Sequence, residues 1–184
     1  LTKGQTVAVD GQVWSQSACE NMSEMCQKAG LLFRQDLDLI ANIRHDRPSL
    51  SDSMIFIHDT KYTGSSAAQK IEIIREKLRS EKVDYHLITA LDDIAWTFNI
   101  RGNDVDYNPV AVAFAIVGLH EANLFIQPSK VGYEAGQYLK DNGIQIFPYE
   151  EIGLFLTHLS PETSVLVDPT ICSAAIYQTI KVNI

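Results

Sequence analysis

The chain has 184 residues, 46% hydrophobic and 21% charged, a globular composition with apolar side chains enough for one domain, or one domain and part of another. Fifteen Lys and Arg against 23 Asp and Glu give a formal charge of -8, which weighs against non-specific nucleic-acid binding. The most basic stretch, Lys70 to Lys82, interleaves its bases with Glu72, Glu76 and Glu81 as a solvated helix face does, and no run approaches the roughly 20 apolar residues of a membrane span, so neither nucleic acid nor membrane is an expected partner.

Thr6 to Asp10 reads as a short strand ended by the Asp10-Gly11 turn. Trp14 to Ala29 reads as a helix with Ala18, Met22, Met25 and Ala29 inward and Gly30 as its stop. Leu31 to Phe33 is a second strand, and Leu37 to Ile43 one or two helical turns. Arg44 to Gly64 is polar and linker-like, interrupted by the apolar island Met54 to Ile57.

From Ser65 the signals strengthen. Ser65 or Ser66 caps a helix running to about Ser80, with Ala68, Ile71, Ile74 and Leu78 as its buried stripe. Val83 to Thr89 is a strand, Leu91 to Phe98 a short helix, and Asn99 to Asn108 a turn-rich loop. Val110 to Val117, almost wholly apolar, marks a central strand buried on both faces, and Ala122 to Ile126 its hairpin neighbour. A helix at Lys130 to Asn142, a strand at Ile144 to Phe147, a helix at Glu150 to Leu159, a strand at Thr163 to Val167 and a closing helix at Ile171 to Ile180 complete the pattern. Alternating strands and helices predict an α/β fold, three α/β/α layers around a mixed sheet. The expected division is 1–48 as the end of a preceding domain, 49–64 as linker and 65–184 as a second domain. No internal repeat or low-complexity tract is visible.

Cys19, Cys26 and Cys172 fit neither a disulfide scaffold nor a zinc knuckle, so a reducing, cytoplasmic setting is expected. The opening Leu1-Thr2-Lys3-Gly4 leads into strand-like alternation, not a signal peptide, and the chain reads as a piece of something longer.

The chemistry-bearing residues are sparse. His45-Asp46 and His58-Asp59 are neighbours in polar, extended segments, where adjacent side chains diverge and do not share a metal. His86 reads as a packed strand residue, His120 has no recognisable setting, and His158 lies near a helix end. Asp92-Asp93 reads as helix capping, Trp96 as core or interdomain packing. No phosphate-binding glycine loop, catalytic residue or metal ligand is assigned. What remains is the loop after Asn99, which gathers Arg101, Asn103, Asp104, Tyr107 and Asn108 between a helix and a buried strand. Two readings stay open on the residues alone. Either Arg101 offers its planar fork to a carboxylate or carbonyl, or it pairs with Asp104 to pin the loop.

Three stretches carry a resemblance: Tyr62-Thr63-Gly64-Ser65-Ser66 with Lys70-Ile71 behind it; Thr89-Ala90-Leu91-Asp92-Asp93-Ile94-Ala95-Trp96; and Asn99-Ile100-Arg101-Gly102-Asn103-Asp104-Val105-Asp106-Tyr107-Asn108-Pro109-Val110. Together, over roughly Lys61 to Ile180, they resemble the creatinase N-terminal-like middle domain of three-domain aminopeptidase P, the Xaa-Pro aminopeptidases. Val9-Asp10-Gly11 with Trp14 resembles the end of that family's first domain more loosely. The family often has Ser where Asn103 stands and His where Tyr107 stands.

The resemblance implies two related N-terminal domains and a pita-bread catalytic domain holding two divalent metal ions, usually manganese, on Asp, Asp, His, Glu and Glu. None of those ligands is assignable in this sequence, so the chain is expected to be non-catalytic and to need no cofactor of its own. It implies short peptides with proline second as substrates, a homodimer, and a loop from Arg101 to Asn108 beside the substrate cleft or an interdomain interface. Two alternatives remain: a creatinase-fold binding module that has lost its metals, and a two-domain prolidase-like dipeptidase. Val9 to Ile43, read as the tail of an extra domain, disfavours the second.

Overall fold

The computed structural model describes residues 1–41, 43–46 and 49–182, which form two compact units. One unit contains residues 1–49 and 168–183, the other residues 50–167. The closing helix lies with residues 1–49 and not with the sheet of the second unit. Of the linker-like stretch from Arg44 to Gly64, Arg47 and Pro48 lie outside the described residues, as does Asn42 of the expected turns before it.

In the first unit, strand β1 (Thr6–Ala8) runs parallel to β2 (Leu32–Arg34), with helix α1 (Gln16–Lys28) as the crossover between them. Gly11 makes the tight exit from β1. Its N–H donates to the Gln35 carbonyl at 2.8 Å, and a Cβ there would sit 2.4 Å from that same oxygen. Ser15 caps α1. The helix is phased differently from expectation: Cys19 and Cys26 are buried, while Met25 is exposed. Where one or two helical turns were expected, the described residues 39–41 and 43 form turns and not a helix; the N–H groups of Ile43 and Arg44 return to the Ile40 carbonyl. The closing helix α7 (Ala174–Val182) starts three residues later than expected and packs on α1.

The second unit is built on a five-stranded mixed sheet. Its strands β4 (Tyr85–Ile88), β6 (Ala113–Gly118), β7 (Ala122–Ile126), β8 (Ile144–Phe147) and β9 (Val165–Leu166) lie in the order β8-β7-β6-β4-β9. The two central pairings, β4 with β6 and β6 with β7, are antiparallel; the outer two are parallel. This is the mixed α/β sheet expected. β6 and β7 are almost wholly buried, as their apolar runs require.

Alternation along these strands separates two cores. On one face Ala113, Ala115, Val117, Ala122, Leu124 and Ile126 join Ile71 of helix α3 (Ala67–Glu81), Ile94 of α4 (Leu91–Thr97) and Leu139 of α5 (Tyr133–Asp141). On the other, Phe125 packs on Phe147 and on Phe155 of α6 (Ile152–Thr157), and Phe114 stacks on Tyr149. Helices on both faces give three layers.

Local differences from the expected elements have local causes. Ser66 caps α3 through a reciprocal capping box with Gln69; of the expected stripe Ile71 and Leu78 are buried and Ile74 packs half-buried on the core, joined by Ala67 and Lys70, while Ala68 is exposed. Asp92 and Asp93 sit in the first turn of α4, but the cap position is Ala90, so they favour the helix end by charge and not by capping. The expected helix at Lys130 divides into a 3₁₀ turn (Pro128–Lys130) and α5, because Pro128 opens the turn and Val131 is extended. The apolar island became strand β3 (Phe56–Ile57), followed by the short helix α2 (Thr60–Thr63). β3 pairs antiparallel with β5 (Ile100–Arg101), inside what the sequence showed only as a loop.

Candidate functional site

The site begins where α4 ends. Asn99 takes the left-handed conformation, φ 53°, which its short amide side chain tolerates better than most residues would. That reversal turns the chain out of α4 into β5. Four contacts hold it. The Asn99 carbonyl accepts from His58 N–H at 2.7 Å, and its Nδ2 donates to the Ser65 carbonyl at 2.8 Å. Its Oδ1 accepts from Lys70 Nζ at 2.6 Å, and the same ammonium donates to the Trp96 carbonyl at 2.7 Å.

Lys70 is the centre of this knot. It is 1% exposed and forms no ion pair among the described residues; oxygen dipoles and the Trp96 ring, 4.2 Å from Nζ, surround it. Burial, and next the Arg101 charge, pull its pKa below the usual lysine value. A cation against the last carbonyls of α4 also complements the helix dipole. Trp96 is half-exposed and not a core residue.

Arg101 follows directly. Its Nη1 donates to the carbonyls of Ala95 and Ile100 at 2.8 and 2.9 Å. Among the described residues no carboxylate pairs with it, and Nε and Nη2 carry no hydrogen bond. The Arg101–Asp104 pairing left open by the sequence does not form. Asp104 turns inward instead: its carboxylate is 2% exposed, pairs with the equally buried Lys130 and accepts the Val112 N–H at 2.6 Å. Its other oxygen is buried without a partner among the described residues. Asp104 therefore anchors the loop from beneath and presents nothing outward.

Asn103 and residues 105–109 are exposed, while Gly102 is buried. Gly102 passes so close to Val110 and Ala111 that a Cβ would meet the Ala111 Cβ at 2.9 Å. Asn108 N–H closes a turn onto the Val105 carbonyl. Tyr107 stands at its tip, fully exposed, with φ 62°. The side chains of Asn103 and Tyr107 make no hydrogen bond among the described residues. Of the five expected residues, Asn103, Tyr107 and Asn108 are exposed on the loop, Arg101 is half-buried at the end of β5 beside it, and Asp104 is withdrawn. Sequence reasoning missed Lys70, Asn99 and Lys130. Lys70 left a signal: a lysine in register with the apolar stripe of a helix.

The histidines remain scattered. His86 has its pKa lowered by burial, and His158 Nδ1 lies 2.7 Å from the Leu154 carbonyl. Among the described residues no group of three or more His, Cys, Asp or Glu is arranged to hold a metal ion, and no helix is long and apolar enough to cross a membrane.

Residues 46–184 match the family model described as Creatinase/Prolidase N-terminal domain. The chain belongs to this family. Among similar proteins, Aminopeptidase P2 of Arabidopsis thaliana is 34% identical over 98% of this chain and 26% of its own length. A probable Xaa-Pro aminopeptidase P of Pyricularia oryzae is 38% identical over 81% of this chain and 25% of its own. Among solved structures, the X-prolyl aminopeptidase of Caenorhabditis elegans, described as a cytosolic enzyme with a di-nuclear active site, matches all of this chain and 31% of its own, with TM-score 0.90 and 27% identity. This creatinase/prolidase N-terminal domain chain thus spans about a quarter of the length of the curated relatives it matches.

Proposed function

We propose that this chain is the non-catalytic N-terminal region of a dinuclear metal-dependent Xaa-Pro aminopeptidase, which releases the first residue from short peptides with proline second. The observation that carries this reading is likeness to aminopeptidase P relatives along 98% of the chain. In this reading the two ions, expected to be manganese, are held by another part of the parent protein; the C. elegans relative is described as having a di-nuclear active site. When bound there they supply an activated water.

The role of this chain is to shape the cleft. Arg101 supports that role, because its Nη1 is fixed by the Ala95 and Ile100 carbonyls while Nε and Nη2 have no partner among the described residues. Such a fork accepts a peptide carbonyl or a carboxylate. A homodimeric, cytoplasmic parent accompanies this reading, with the exposed loop from Asn103 to Asn108 at the cleft wall or a subunit contact; the C. elegans enzyme is described as cytosolic.

The test is hydrolysis of a short Xaa-Pro peptide by this chain and by the full-length protein, each with and without added manganese. Activity confined to the metal-loaded full-length protein is the expected result. Activity in this chain alone overturns the division of labour, and inactivity of both moves the reading to a binding module.

A further inference from the structure

We propose that residues 10–18 and 168–176 are two copies of one docking element that latch onto each other reciprocally within the chain. The copies share sequence: Val7-Ala8-Val9-Asp10 and Ser15 match Val165-Leu166-Val167-Asp168 and Ser173 at identical spacing. They also share conformation. Asp10 Oδ1 accepts from Gln12 N–H and Asp168 Oδ1 from Thr170 N–H, each at 2.8 Å. The Asp10 carbonyl accepts from Trp14 N–H, and the Asp168 carbonyl from Cys172 N–H. Ser15 Oγ accepts from Ala18 N–H and Ser173 Oγ from Ile176 N–H, at 3.3 and 3.4 Å.

The contact between the copies repeats under exchange of the two. Ser15 and Ser173 face each other in an antiparallel bridge. Gln16 N–H donates to the Cys172 carbonyl at 3.0 Å, and its counterpart Ala174 N–H to the Trp14 carbonyl at 2.8 Å. Ser17 N–H donates to the Pro169 carbonyl at 3.0 Å, and its counterpart Ala175 N–H to the Gly11 carbonyl at 2.8 Å. The result is a local two-fold.

These four donors have a particular need. A helix leaves its first N–H groups without intrahelical partners. In α1 and α7 the serine cap serves the third residue, while among the described residues the first and second are served only by the other copy. Gln16, Cys172 and Ala174 are buried, so opening the latch strips partners from groups inside the protein. Neither helix entry is complete without the other, and the two open together.

Amide hydrogen exchange on this chain tests the latch. Ser173→Ala is expected to accelerate exchange at Gln16 and Ser17, across the contact, by the same factor as at Ala174 and Ala175, about five- to tenfold for a lost cap. Ser15→Ala is expected to do the reverse. Acceleration confined to residues 173–182 in Ser173→Ala overturns the proposal. If either variant fails to fold, the unmodified chain decides it: the four amides must share one opening, with one dependence on denaturant, and distinct openings overturn it. Exchange at Gln16 and Ser17 that slows with protein concentration overturns it too, since a second copy would then be supplying residues 168–176.

Discussion

Asp104 pairs with Lys130, not with Arg101, although Arg101 is three residues away and Lys130 lies beyond two strands. The pairing anchors the loop and leaves the guanidinium open. Breaking a buried pair from one side strands the other charge, at a cost of about 3–5 kcal/mol. Asp104→Ala is therefore expected to lose that much in urea unfolding, and Asp104→Leu with Lys130→Met to recover most of it. A single variant within 1 kcal/mol of the parent, on the order of a surface pair, would contradict the buried anchor.

Arg101→Ala has a different signature. The side chain is half-buried and among the described residues bonds two carbonyls, so the loss of stability is expected to stay near 1 kcal/mol. In the full-length protein the KM for an Xaa-Pro peptide is expected to rise about tenfold, the worth of one hydrogen bond from a charged donor. Arg101→Lys, which keeps the charge but not the fork, should not restore it. Unaltered peptide kinetics in Arg101→Ala would remove the loop from the cleft.

Lys70→Met keeps the volume of the side chain, leaves Asn99 Oδ1 without its donor and leaves the Trp96 carbonyl with the longer bond from Asn99 N–H alone. A loss of about 2–3 kcal/mol is expected. Because the ammonium lies over the Trp96 ring, and Trp14 is the other indole in the chain, the native fluorescence should change as well. An unchanged midpoint would mean that the knot does not hold the turn.

Tyr85 gives a pH dependence. Burial, then the 2.5 Å bond its hydroxyl donates to Glu121, raise its pKa from 10.0 to about 12. The folded state thus holds the phenolic proton more tightly than the unfolded one. The stability it contributes is complete below pH 10 and is lost as pH rises through 10 to about 12. Tyr85→Phe should flatten that part of the profile relative to the parent; parallel profiles would refute the coupling.

Two glycines separate steric need from habit. Gly11→Ala places a methyl 2.4 Å from a backbone oxygen and is expected to cost 2 kcal/mol or more, on the order of overpacking. Gly153, inside α6, has nothing within 4 Å of its added Cβ, so Gly153→Ala should stabilise by about 0.5–1 kcal/mol. Thermal midpoints moving in the same direction for both would contradict these environments.

The sequence by itself determined the α/β class, the order of the larger elements, the central antiparallel pair at Val110 to Ile126 and the position of the outward loop. Those follow from local signals: period, caps, turn residues and buried apolar runs. It also carried the family, through the long motif from Thr89 to Val110. What only the tertiary structure decided was partnership. Asp104 chose Lys130 over Arg101, Lys70 found carbonyls instead of an acid, and β5 emerged from a loop because β3 was there to pair with it. The repeated Val-x-Val-Asp with its serine was in the chain all along, too short to register as a repeat. It became visible once the backbone brought residues 10–18 and 168–176 together, since first-turn amides that lack partners along the chain take them from wherever folding places a carbonyl.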